Sequence, residues 1–147
     1  LEGAHIETVK KLVNSGIPVM GHLGLTPQSM HQLGGYKVQG RTDGDVILEA
    51  AKALEAAGAF AIVLELVPAE LAARITAALM IPTVGIGAGV NCDAQVLVWT
   101  DLMGITKKAP KLAKAYRNLR AEMVAAAGEF ADDVRQGQFP TEAQSFN

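Results

Sequence analysis

The chain has 147 residues, half of them hydrophobic, with 13 Lys and Arg against 15 Asp and Glu and a formal charge of −2. That suits one globular domain with a real core, and the cations are dispersed rather than gathered into a stripe, which argues against nucleic-acid binding. The apolar runs are interrupted by Glu65, Pro68, Pro82 and the glycines of 85–89. They fall short of the ~20 residues a membrane span needs, and no signal peptide is visible. A single cysteine, Cys92, excludes an internal disulfide and a cysteine zinc cluster, so a reducing, cytoplasmic setting is expected.

Leu1-Glu2-Gly3 opens without an initiating methionine on what reads as the tail of a strand, so something is expected to precede it. Thr8 to Asn14 has apolar residues at 9, 12 and 13, the spacing of a helix, and Ser15-Gly16 closes it. Ile17 to His22 reads as a strand. A long connection, Leu23 to Arg41, follows, with Thr26-Pro27-Gln28-Ser29 as a helix start. A loop of that length in a compact domain is usually functional. Asp43 to Ala57 carries an apolar stripe of Val46, Ile47, Ala50, Leu54 and Ala57, stopped by Gly58. Strand 60–65, helix Pro68 to Leu79 and strand 83–87 continue the alternation. Gln95 to Trp99 reads as a last short strand with Asp101 just beyond it, Leu112 to Phe130 as a helix continuing to Val134, and Gln138 to Asn147 as loop. Roughly four βα units in succession require parallel strands and right-handed crossovers. They amount to half of a (β/α)8 barrel, which typically needs about 250 residues.

Three strand ends carry residues suited to chemistry. Glu65 ends the apolar run Phe60-Ala61-Ile62-Val63-Leu64, where burial would raise its pKa toward the range of a general base; the alternative is a structural ion pair. Glu2, at an apparent strand end, suits a hard cation such as Mg²⁺, or is a solvated residue. His22 follows Gly21 at a third strand end, as a hydrogen-bonding contact to a substrate carboxylate or carbonyl, or as a histidine bonded to loop backbone. His5 and His31 read as surface residues, and no His/Cys/Asp spacing makes a zinc site. The glycines at 85, 87 and 89 either hold an anion on exposed N–H groups or allow tight packing. Gly34 to Arg41 is either a loop that closes over a polar ligand or a solvated one.

Five segments together resemble one family. They are Gly21-His22-Leu23-Gly24-Leu25-Thr26-Pro27-Gln28-Ser29, Gly34-Gly35-Tyr36-Lys37-Val38-Gln39-Gly40-Arg41, Val63-Leu64-Glu65-Leu66-Val67-Pro68, the run Ile81 to Gly89, and Phe139-Pro140 with Ser145-Phe146. The chain resembles the ketopantoate hydroxymethyltransferases along its whole length. The resemblance implies a (β/α)8 TIM barrel, of which this chain supplies the C-terminal half in one partial domain. It also implies Mg²⁺ dependence and transfer of a hydroxymethyl group from 5,10-methylenetetrahydrofolate to 3-methyl-2-oxobutanoate, giving 2-dehydropantoate.

By position, Glu65 resembles the family's base, which removes the C3 proton of the oxo acid. Glu2 resembles its acidic Mg²⁺ ligand, and His22 a histidine lining the substrate pocket. The family's other two metal-site aspartates, its substrate-contacting serine and its lysine are expected ahead of Leu1. Departures from the family pattern are Ala4, Ala94 and Gln144. Two other readings are a related metal-enolate barrel of the phosphoenolpyruvate mutase and isocitrate lyase group, and a non-catalytic half-barrel that serves in assembly. A homo-oligomer is expected from the resemblance, and association of the 147 residues from the unpaired edges of a half-barrel.

Overall fold

Val9, Leu12 and Val13 fall at helical spacing, and they turn the inner side of α1 (Ile6–Asn14) to the core. The same periodicity builds α2 (Gly44–Ala56), which buries Ala51 and Leu54, and α3 (Ala69–Ala78), which buries Leu71, Ala72 and Ile75. Alternating with them are β1 (Met20–Gly24), β2 (Ala61–Glu65) and β3 (Thr83–Ile86), followed by a two-residue β4 (Ala94–Gln95). The computed structural model describes residues 1–146, which form two compact units, Leu1–Val96 and the stretch from Leu97 on.

The first unit is a mixed α/β layer built on a four-stranded sheet, order β1-β2-β3-β4, with every neighbouring pair parallel. Parallel neighbours cannot be joined by a tight turn, and α2 and α3 supply the crossovers. The register sets His22 opposite Val63 and Gly24 opposite Glu65, and it sets Glu65 opposite Ile86. Beyond the free edge of β1, Glu2 bridges His22 in parallel, and the Gly3 N–H donates to the His22 carbonyl at 2.9 Å. The chain's first residues thus add a rung to the sheet.

Side chains alternate across the pleat, and this sorts the strands into two faces. Leu23, Ile62, Leu64 and Thr83 point to the helices and are buried, each large apolar one contributing roughly 1.5–3 kcal/mol. The residue opposite Ile62 on β1 is Gly21, where a Cβ would come 3.0 Å from Leu54 of α2. The absent side chain lets that helix lie close. His22, Val63, Glu65 and Val84 share the other face and are only partly covered. The apolar run of β2 is therefore one fully buried face and one half-open face, and the site lies on the second.

Several boundaries differ from the sequence reading. Strand β1 starts at Met20 rather than Ile17, because Pro18 has no N–H for the ladder and Ile17 is 50% exposed; pairing begins where the Phe60 N–H reaches the Val19 carbonyl. The expected helix at Thr26–Ser29 is a single 3₁₀ turn, Pro27–Ser29, and the loop continues irregularly to α2. The strand read over Gln95–Trp99 is confined to Ala94–Gln95, and Trp99 instead opens a short helix, α4 (Trp99–Leu102). Its β-like composition misled because Val96, Val98 and Trp99 are exposed. Asp101 lies in α4 and is buried.

In the second unit the last helix, α5 (Leu119–Arg135), begins seven residues later than Leu112. After a turn at 111–112 the chain is irregular up to residue 118, and Asn118 caps the helix by accepting the Ala121 N–H. A 3₁₀ turn at Glu142–Gln144 interrupts the expected C-terminal loop and carries a capping box from Thr141. Asn147 lies outside the described residues. No helix among those residues is long and apolar enough to cross a membrane.

Candidate active site

The tips of β1 and β2 bring together three residues that are far apart in the chain. His22 Nε2 lies 3.1 Å from Glu65 Oε2, and His22 Nδ1 faces Glu2 Oε1 at 4.0 Å. The other oxygen of Glu2, Oε2, accepts the Gln28 N–H at 3.0 Å. All three side chains are mostly covered, with 15% of Glu65, 17% of His22 and 22% of Glu2 exposed. The sequence reading singled out the same three residues, and the fold makes them one cluster. His5 and His31 stand apart as exposed residues.

The backbone behind Glu65 is held from both sides. Its carbonyl accepts the Leu25 N–H at 2.8 Å, so the chain leaving β1 is pinned to the tip of β2. Leu66, the next residue, has φ 47°, a left-handed conformation that costs a non-glycine residue about 1–2 kcal/mol. Two hydrogen bonds hold it there. The Leu66 N–H donates to the Ile86 carbonyl at 2.9 Å, and its carbonyl accepts the Gln39 N–H at 2.8 Å. Gly24, directly opposite Glu65, has φ 89°, and a Cβ there would overlap the Glu65 carbonyl oxygen.

Burial pushes the Glu65 carboxyl above the usual carboxylate range. The charge of His22 and its hydrogen bond oppose that rise, and the negative charge of Glu2 adds to it. A carboxylate that gains proton affinity by burial while one partner holds it in place is equipped to accept a proton from carbon.

Other signals in the sequence resolve differently. Gly85 and Gly89 are closely packed: a Cβ on Gly89 would come 2.5 Å from the Ala69 Cβ, and one on Gly85 would meet Cys92 Sγ at 2.9 Å. The Gly34–Arg41 loop is anchored by Gln39 to Leu66, with Tyr36 turned outward. A cleft of about 600 Å³ beside the first turns of α2 and α3 is lined by Arg41, Asp43, Asp45, Glu70 and Arg74 among others. It contains none of the three clustered residues, and its Arg74 is already paired with Asp45 at 2.6 Å.

Two contributors escaped the sequence reading. The Gln28 N–H, in the first turn after Pro27, is one of the orphan donors of a helical start, and that was the signal available for it. The left-handed Leu66 had none, since nothing in Glu65-Leu66-Val67-Pro68 requires a positive φ.

The model of the ketopantoate hydroxymethyltransferase family matches residues 1–142. The chain belongs to that family. Among curated ketopantoate hydroxymethyltransferases, those named 3-methyl-2-oxobutanoate hydroxymethyltransferase from Moorella thermoacetica and Acidothermus cellulolyticus are 58% and 59% identical to it, over 99% and 95% of this chain. The Frankia alni relative is 58% identical over 94%. These matches cover 56%, 52% and 46% of the relatives, so the chain spans about half the length of the ketopantoate hydroxymethyltransferases it matches.

The ability of these residues to hold the divalent cation that the resemblance implies rests on Glu2. Among the described residues no group of three or more His, Cys, Asp and Glu side chains gathers to hold a metal ion. Among the described residues Oε1 of Glu2 has no hydrogen-bond partner, and it lies beside a half-open face. One such carboxylate fits the way Mg²⁺ is bound, through one or two carboxylates with water and substrate oxygens completing the shell.

Proposed function

We propose that this chain carries the general base, Glu65, of a hydroxymethyl transfer from 5,10-methylenetetrahydrofolate to 3-methyl-2-oxobutanoate, giving 2-dehydropantoate in pantothenate biosynthesis. The observation that carries the reading is the Glu65 carboxylate at the C-terminal tip of β2, on the half-open face and with its proton affinity raised by burial. The shared name of the relatives supports the oxo acid and the group transferred. Chemistry at the C-terminal tips of parallel strands is the rule in barrels. The four strands are read as part of a (β/α)8 barrel, one partial domain of which this chain is the C-terminal half.

Glu65 takes the proton from C3 of the oxo acid, and the C–H electron pair moves toward the keto oxygen. Water releases the one-carbon unit as formaldehyde, both C–N bonds to folate breaking and the two water protons going to the two folate nitrogens. The enolate carbon attacks that carbon, and the alkoxide formed takes the proton back from Glu65 to become the new hydroxyl. Glu2 would hold Mg²⁺ through Oε1. When bound, the ion supplies Lewis-acid stabilisation of charge on the substrate oxygens. His22 stands between the two carboxylates. A homo-oligomer in the cytoplasm completes the reading, supported by the exposed Met123, Val124, Phe130 and Val134 of α5 and by the free Cys92.

Loss of the C3 proton of 3-methyl-2-oxobutanoate in D₂O, followed by NMR with Mg²⁺ and without folate, tests the base directly. The full-length protein should exchange and its Glu65→Gln variant should not. Exchange that persists in the variant removes Glu65 from the role.

A further inference from the structure

We infer that His22 is a positioning residue for Glu65, acting through Nε2 to hold one carboxylate oxygen and leave the other, Oε1, as the atom that receives the proton. This rests on the reading of Glu65 as the base. It assigns His22 a part other than contact with the oxo acid.

The imidazole has two polar atoms, and both face carboxylates. Nε2 lies at hydrogen-bond distance from Glu65 Oε2, and Nδ1 faces Glu2 at 4.0 Å. The ring's backbone is equally committed, pairing with Val63 on one side while its carbonyl accepts the Gly3 N–H on the other.

The register explains why the histidine reaches the base at all. Directly across from Glu65 on β1 is Gly24, which offers no side chain. The carboxylate therefore leans diagonally to the residue two positions earlier on the same face of β1, and that residue is His22. With Oε2 engaged there, Oε1 has no hydrogen-bond partner among the described residues. An unrestrained glutamate spreads over many rotamers, and fixing a long side chain costs conformational entropy. In this site that ordering precedes substrate binding.

Side-chain geometry separates the two nitrogens experimentally. A glutamine amide nitrogen reaches the place of Nε2, whereas an asparagine amide reaches only the place of Nδ1. In the full-length protein, C3-proton exchange of 3-methyl-2-oxobutanoate is measured for wild type, His22→Gln, His22→Asn and Glu65→Gln.

The expected result is that His22→Gln keeps exchange within a few-fold of wild type. His22→Asn loses about 100-fold in kcat, the scale of a 1 Å misplacement, with KM for the oxo acid unchanged. A rise in KM with kcat intact in both His22 variants overturns the inference in favour of substrate contact. Retention in His22→Asn and loss in His22→Gln also overturns it, by shifting the role to Nδ1 and Glu2. If Glu65→Gln keeps wild-type exchange, the base reading fails instead, whatever His22 does.

A spectroscopic readout is independent of turnover and of how well the His22 variants fold. The ¹⁵N resonance of His22 Nε2 should move when Glu65 becomes glutamine. An unmoved resonance means that the two side chains are not bonded, and the inference falls.

Discussion

At the N-terminal end of β3, Asp93 accepts the Thr83 N–H at 2.7 Å and the Thr83 hydroxyl at 3.0 Å, and Thr83 is in turn 2.8 Å from the Thr76 hydroxyl of α3. At the C-terminal end of the neighbouring strand, the Glu65 carboxylate has one hydrogen-bond partner among the described residues, His22, and is mostly covered. The same parallel sheet thus holds one carboxylate whose hydrogen bonds lower its pKa and another whose burial raises it. Asp93 is satisfied by its own backbone neighbourhood and ties α3 to β3. Glu65 is left with unspent proton affinity on a half-open face. In parallel α/β architecture this division is expected, since the bottom of the sheet serves stability and the strand tips serve chemistry.

The comparison is broken most severely at Glu65, the proposed base. Glu65→Gln should reduce C3-proton exchange by about 10³-fold, within the usual range for general base catalysis. The far-ultraviolet spectrum should stay native. Gly24→Ala attacks the same tip through the backbone. It places a methyl group on the Glu65 carbonyl oxygen and 2.7 Å from Val67 Cγ1, at a φ of 89°. The cost should exceed about 2 kcal/mol, seen as a melting temperature lower by several degrees together with slower exchange.

At the other end, Thr83→Val removes a buried hydroxyl at nearly constant volume. Thr76 keeps its bond to the Ala72 carbonyl, and Asp93 keeps the Thr83 N–H. A loss of about 1 kcal/mol by chemical denaturation, with exchange at wild-type rate, is the expected outcome. Slowed exchange in that variant would mean that the two ends of the sheet are not independent.

The smallest effect is in the pH dependence of stability, and its sign differs between the ends. Asp93 has a depressed folded pKa, so its contribution is present above the ordinary carboxylate range and is lost as pH falls through the folded value. Glu65 has a raised folded pKa, so its contribution is present below that range and lost as pH rises through the folded value. Glu65→Gln should therefore melt slightly above wild type at neutral pH, and the gap should close in acid. Thermal unfolding of both proteins between pH 4 and pH 7, chosen to bracket the ordinary carboxylate range, reads it directly. A gap that grows toward acid would contradict the raised pKa.

Helices α1, α2 and α3 and strands β2 and β3 were legible in the sequence, as was Glu65, a charge closing an apolar run. Their signals are local. An apolar stripe needs only neighbours three and four positions away. The later part of the chain was less legible: Val96, Val98 and Trp99 have the composition of a strand, but β4 ends at Gln95 and all three are exposed. Strand composition marks a pleated, half-buried surface, and these residues found none to cover. Residues 113–118 likewise have helix-forming composition but are irregular, and the helix starts where Asn118 caps it.

The sequence by itself determined the alternation of helix and strand, the family, and the three residues worth watching: Glu2, His22 and Glu65. Only the tertiary structure decided that His22 stands between the two glutamates, that Glu65 leans across an empty Gly24 to reach it, and that Leu66 is held left-handed by Ile86 and Gln39. The pairing of His22 with Glu65 spans 43 positions and depends on strand register. A slip of one residue would turn either side chain to the helix face, so no local pattern can encode the contact.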